Sequence, residues 1–203
     1  MGFRKSDCYR TCGGYDLTPR PVAGHFHAVQ FYNDDATLSR IVAGFLGDGF
    51  ATGDPAIVIA TPEHRVELEA SLRTRSIDVD ALQRRGDLVL LDARETLDTF
   101  MVDGMPQGGA FRRVVGQVIA QVCRTRPECT VRAYGEMVNL LWKDGLEAAA
   151  IRLETLWNEL ANTHDFKLLC GYSMGNFYKG AAIEDIKSHH SHAADHGDAM
   201  TIQ

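Results

Sequence analysis

Within "RAYGEMVNLLW" (132–142), a guanidinium, a phenol and a carboxylate occupy alternate positions, Arg132, Tyr134 and Glu136. Alternate residues of an extended strand share one face, so these three side chains are expected to line up together. Arginine reads anions through a fork of donors. Tyrosine donates, and an ionised carboxylate only accepts. Such a lining suits ligand recognition. The same spacing also suits an Arg–Glu ion pair in which each charge satisfies the other, because either one buried alone is costly. Both readings stand at this level. Glu136 has no visible nucleophile or metal partner, so no residue is assigned a catalytic role.

Other candidates flank this stretch. "FYNDDATL" follows an apolar segment, where a phosphate-binding loop of the form G-x-x-x-x-G-K-[ST] would supply glycines and a lysine. Here Asp34 and Asp35 stand instead, and their charges oppose a triphosphate. One of them is expected to cap the next helix. "TPEH" (61–64) places His64 in a helical first turn, as a ligand contact or a surface residue. Asp92 closes another apolar run and is read as a cap, a partner for a basic side chain or a site residue. Cys8 and Cys12, spaced C-x3-C, together with His189, His190, His192 and His196, form a weak metal-ligand pattern. A solvated tail accounts equally for the histidines, so no metal is assigned. Cys170 reads as a small core residue. No G-x-S-x-G motif is present.

These residues need a frame. "HAVQFY" (27–32), "DPAIVIAT" (54–61), "DLVLLDA" (87–93), "CTVRAYGEM" (129–137) and "FKLLCGYSM" (166–174) are β-branched or aromatic runs that read as strands. Between them lie helical patterns. "ATLSRIVAGFLGDGF" puts Leu38, Ile41, Val42, Phe45 and Leu46 on one face, and Gly47 and Gly49 suggest its end. "PEHRVELEASLRTRS", "DVDALQRRG", "AFRRVVGQVIAQVCRTR" and "LEAAAIRLETLWNELANTH" are further helices. "RETLDTFMVDGMPQGG" is a short helix and a loop. Alternating strands and helices predict an α/β three-layer sandwich with a mainly parallel sheet. Ligands of such sheets sit beyond the carboxyl ends of the strands, where Tyr32, Asp34, His64, Tyr134 and Glu136 are expected to meet Arg132. Residues 1–24 read as a flexible arm and 179–203 as a polar, His-rich tail.

The net charge of −6 gives no electrostatic reason to expect nucleic acid or an anionic membrane as partner. No apolar run reaches the ~18–20 residues that span a bilayer, and the first 24 residues lack the apolar centre of a signal peptide. A cytoplasmic protein is expected, with its five cysteines reduced.

"HAVQFYNDD", "VRAYGEMVNLLWKDGLEAAAIRLETLWNELA" and "FKLLCGYSM", in this order and spacing, resemble the MEDS domain, a sensory domain named from methanogen and methylotroph proteins. The likeness covers roughly residues 25–178. It implies a RecA/KaiC-like ATPase fold in which "FYNDDATL" stands at the Walker A position and "TVRAYGEM" on the Walker B strand. The nucleotide machinery is lost from the first and altered in the second. The resemblance implies a sensory domain for a small molecule, and with the missing P-loop it points to a non-catalytic one. The ligand is expected at the carboxyl edge of the sheet, lined by Tyr32, Asp34, His64, Arg132, Tyr134 and Glu136. Output would then pass to a separate histidine kinase or anti-sigma-type regulator, or through self-association. A degenerate nucleotide-binding enzyme with Glu136 as base and a pure protein-interaction module are the alternatives.

Overall fold

The computed structural model describes residues 25–126, 128–176 and 181–194. The chain forms β1 (His27–Tyr32), α1 (Asp35–Thr52), β2 (Ala56–Ala60), α2 (Pro62–Thr74), α3 (Val79–Arg85), β3 (Leu88–Asp92) and α4 (Ala93–Asp98). A small hairpin of β4 (Met101–Val102) and β5 (Met105–Pro106) follows. The rest is α5 (Gly108–Cys123), β6 (Val131–Gly135), α6 (Met137–Lys143), α7 (Glu147–Leu160), β7 (Phe166–Ser173), α8 (Ala181–Ser188) and β8 (His192–Ala194).

The main sheet has six strands in the order β3-β2-β6-β7-β1-β8. Every pairing in it is parallel, from Ala56↔Leu88 at one side to Ala28↔His192 at the other. Strands such as "AIVIA" are buried on both faces, as apolar runs without alternation require. On one face Leu38, Val42 and Leu46 of α1, Leu68 and Leu72 of α2 and Leu82 of α3 pack on Ala28, Val58 and Tyr134. On the other, helices α4 to α8 pack on Val29, Phe31, Ile59 and Leu168 around Trp157. The three-layer α/β expectation is met.

Local chemistry explains the boundaries. Asp34 caps α1 by accepting the Thr37 N–H at 2.8 Å. Thr61 caps α2, with Pro62 at its first position, where a missing N–H costs nothing. α1 runs past Gly47 and Gly49, which the sequence suggested as its end, and stops at Gly53 with φ of 87°, a left-handed cap that favours glycine. Gly49 serves packing instead. A Cβ there would come within 2.4 Å of Arg132 Cγ. The expected loop after α4 holds the β4–β5 hairpin, turned by Asp103 and Gly104 at positive φ.

Two expectations are corrected. Residues 181–194 are not a solvated tail: α8 buries Ile186, and β8 extends the sheet beside β1. Specific hydrogen bonds offset the polarity of this segment. The Ser191 hydroxyl accepts the His27 N–H and donates to the His27 carbonyl, both at 2.9 Å. The cysteines are not all reduced. Cys123 and Cys129 form a disulfide where the turn after α5 brings their Cα atoms to 5.6 Å, a normal separation for such a bond. Cys170 is a buried free thiol. The expected arm at 1–24, with Cys8 and Cys12, and the tail beyond Ala194, with His196, lie outside the described residues.

Candidate functional site at the carboxyl edge

β2 and β6 are neighbours, yet the chain leaves β2 into α2 on one face and leaves β6 into α6 and α7 on the other. Such a divergence opens a crevice at the carboxyl ends of the two strands. Glu136, the residue after β6, sits in it, with its backbone N–H on the Ile59 carbonyl at 3.1 Å. Its side chain is 1% exposed, so its charge needs donors. The Thr61 N–H donates to Oε1. His64 Nδ1 donates to Oε2 at 2.5 Å, and the Tyr134 hydroxyl donates to the same oxygen at 3.3 Å.

His64 Nε2 lies 3.2 Å from Asp35 Oδ1. The imidazole is therefore held between two carboxylates, with both ring nitrogens facing acceptors. The hydrogen bond to Glu136 outweighs burial and raises its pKa from 6.5 to about 9, so it is a cation at neutral pH. Burial, with Glu136 adding to it, raises the Tyr134 phenol well above its usual value and keeps it a donor. Burial and the Glu136 and Asp35 charges likewise raise Tyr32.

Tyr32, at the end of β1, accepts from Asn139 Nδ2 at 3.3 Å, and Asn139 Oδ1 accepts the Ser173 N–H at the end of β7, at 3.1 Å. The Tyr32 and His64 rings meet edge to face at 6.1 Å. The polar groups thus run along the ends of β2, β6, β7 and β1.

Of the residues singled out from the sequence, the structure brings Tyr32, His64, Tyr134 and Glu136 together. Asp34 lies beside them, but its carboxylate is occupied as a helix cap, and its neighbour Asp35 is the one that meets His64. Arg132 is a correction. It shares the face of Tyr134 and Glu136, as alternation requires, but it stands at the amino end of β6. There it pairs with Asp54 at 3.2 Å and lies over the Phe45 ring at 5.2 Å. Alternation fixes a face, and a strand of this length separates its two ends. The expected Arg–Glu pair does not form: Arg132 takes Asp54, and Glu136 takes His64. Asp92 caps α4 and pairs with Arg65 at 3.0 Å, a structural role.

Sequence reasoning missed Asn139, and it placed Asp35 and Thr61 at the strand ends without including them among the ligand-binding residues. An asparagine inside the apolar "MVNLLW" was the available signal. Gly171 was a hidden one, since a Cβ there would come within 2.7 Å of the Tyr134 hydroxyl. A separate open cleft of ≈ 420 Å³ lies between α1 and α2, lined by Thr37, Arg40, Ser71, Thr74 and Arg75 among others. The carboxyl-edge residues do not line it.

Metal-ligating side chains converge elsewhere, on the opposite face of the sheet. His27, Glu154, Cys170 and His190 bring four ligand atoms within 4.8 Å of one another. The sequence reading took Cys170 as core and His190 as tail. Glu154, on the apolar face of α7 between Leu153 and Leu156, was the overlooked signal.

The parallel α/β sheet carries a polar crevice at its carboxyl edge, and the turn after β1, "NDD", holds neither glycine nor lysine. The chain belongs to the MEDS family: the profile described as "MEthanogen/methylotroph, DcmR Sensory domain" matches residues 26–191. Among solved structures it is similar to a KaiC-like protein from the hyperthermophilic archaeon Pyrococcus horikoshii OT3. That match has a TM-score of 0.50 at 12% identity and covers 87% of this chain and 76% of the other. It shows the fold alone. No curated protein matches the chain. Among the described residues, no helix is long and apolar enough to cross a membrane.

Proposed function

We propose that the domain senses a small molecule at its carboxyl edge and signals through a separate partner without turning the ligand over. The observation that carries this reading is the Glu136 carboxylate, buried at the crevice and held by Thr61, His64 and Tyr134. Both of its oxygens are engaged, which favours holding over proton transfer. Membership in a sensory family supports the same conclusion.

Charge narrows the ligand. Asp34, Asp35 and Glu136 outnumber the single His64 cation, so the edge favours a neutral or cationic polar molecule over a phosphate. A ligand that takes the Tyr32 hydroxyl or the exposed Asp35 carboxylate competes with the His64–Asp35 contact. That contact joins the first turns of α1 and α2. Two arrangements of these helices with different ligand affinity would provide the coupling, read by a histidine kinase, an anti-sigma-type regulator or a second copy.

Thermal unfolding of the full chain against neutral and cationic polar metabolites, with ATP–Mg²⁺ as a parallel arm, tests the proposal. A ligand that binds only the native state raises the melting temperature. Stabilisation by a member of the neutral or cationic set, lost in Glu136→Gln, is expected. Phosphate release from ATP that disappears in Glu136→Gln would overturn it in favour of an enzyme, and a chain that no member of either set stabilises would also overturn it.

A further inference from the structure

On the sheet face away from the carboxyl-edge site, a carboxylate, a thiol and two imidazoles meet between β1, β7, α7 and the end of α8. Glu154, Cys170 and His27 are completely buried, and His190 is 7% exposed. His27 Nε2 lies 3.2 Å from Glu154 Oε2 and 3.4 Å from Cys170 Sγ. His190 Nε2 lies 3.4 Å from Glu154 Oε1, and Cys170 Sγ lies 3.7 Å from Glu154 Oε2. A tetrahedral ion with bonds of about 2.0–2.3 Å spaces its ligand atoms ~3.3–3.8 Å apart. These four separations fall close to that range, and the whole set of ligand atoms lies within 4.8 Å.

The surrounding hydrogen bonds orient both imidazoles as ligands. The Asn158 amide nitrogen donates to the His189 carbonyl at 3.1 Å, so its Oδ1, 2.9 Å from His27 Nδ1, must accept. His27 therefore carries its proton on Nδ1 and turns the Nε2 lone pair inward. His190 Nδ1 faces the Ile186 carbonyl at 2.7 Å, which places its proton there too. Its buried Nε2 makes no well-formed hydrogen bond and faces the cluster, 3.4 Å from Glu154 Oε1. Ring nitrogens fixed by outer acceptors are the usual support of metal-bound histidines. The Tyr172 hydroxyl donates to Glu154 Oε1 at 2.7 Å and orients the carboxylate in the same way.

We propose that His27, Glu154, Cys170 and His190 bind one zinc-class divalent ion. Thiolate and imidazole ligands select such a soft or borderline metal over Mg²⁺ or Ca²⁺. Charge balance agrees: one thiolate and one carboxylate neutralise a divalent cation in a site that water does not reach. On binding, the Cys170 S–H bond breaks, the sulfur electron pair goes to the metal and the proton goes to solvent. With four protein ligands the site is closed, as structural sites are. It ties the C-terminal segment, through His190, to β1, β7 and α7. The proposal is independent of any ligand at the carboxyl edge.

The test uses the full chain stripped with a chelator and titrated with Co²⁺, whose absorption reports tetrahedral geometry and thiolate bonding. The expected result is one Co²⁺ per chain, with a thiolate charge-transfer band that zinc displaces. The band should survive in a chain carrying Cys8→Ser, Cys12→Ser, Cys123→Ser and Cys129→Ser, and vanish in Cys170→Ser. His190→Ala should weaken uptake by about 10-fold or more, with the far-ultraviolet circular dichroism unchanged. No stoichiometric uptake, or a thiolate band that persists in Cys170→Ser, overturns the proposal. Should the variants not fold, X-ray absorption of the zinc-loaded wild type decides. One sulfur with nitrogen and oxygen neighbours supports the site, and a shell without sulfur or with several sulfurs refutes it.

Discussion

His64 should make the stability of this domain depend on pH in a defined direction. The group faces Glu136 from the end of β6, Asp35 from α1 and the Tyr32 ring from β1. Its pKa rises from 6.5 to about 9, first through the hydrogen bond to Glu136 and against the opposing effect of burial. The folded protein thus holds this proton more tightly than the unfolded chain. The stabilisation is complete below about pH 6.5 and disappears as pH rises through about 9. At about 1.4 kcal/mol per pH unit, the full effect is about 3 kcal/mol. The Asp35 contact adds little to it, because that carboxylate is exposed and screened. The larger share is the buried Glu136 charge, which loses its counter-ion when His64 deprotonates. Urea unfolding of the wild type and of His64→Gln, near pH 6 and near pH 9.5, measures the difference. The wild type should lose about 3 kcal/mol more than the variant over that interval. Following the His64 ring proton by NMR provides a direct check. Parallel stability profiles in the two proteins, or an imidazole that titrates near its ordinary value, would refute the reasoning.

Arg132→Met should cost roughly 1–3 kcal/mol in urea unfolding, since it removes the partner of Asp54 and the packing on Phe45. It should leave any thermal stabilisation by a carboxyl-edge ligand intact, and a folded variant that has lost that response would place Arg132 in the site after all. Gly49→Ala should destabilise by about 1–3 kcal/mol through overpacking against Arg132, although alanine favours a helix interior by about 1 kcal/mol. A more stable variant would show that Arg132 moves aside freely.

Much of the frame was legible because its signals are local. β1 and the cap of α1 follow from "HAVQFYND", where an apolar run meets a residue that can accept the first free N–H groups. The burial of β2 follows from "AIVIA". The site was legible only as far as periodicity reaches. Arg132, Tyr134 and Glu136 do share a face, but which end of the strand each serves depends on elements far away in sequence. Glu136 meets His64 across 72 positions, and Arg132 meets Asp54 across 78. The polar C-terminal segment misled for a related reason. Its burial rests on hydrogen bonds to His27, 164 positions away, and composition carries no trace of such partners.

The sequence by itself determined the alternation of strands and helices, the parallel sheet and the edge at which polar strand ends gather, because each depends on spacing and propensity within a few residues. Only the tertiary structure decided the pairing of charges. A buried carboxylate requires donors, and the chain alone does not say which ones arrive. Glu136 is held by His64 rather than Arg132. Glu154, on the apolar face of its helix, is met by two histidines and a cysteine drawn from both ends of the chain.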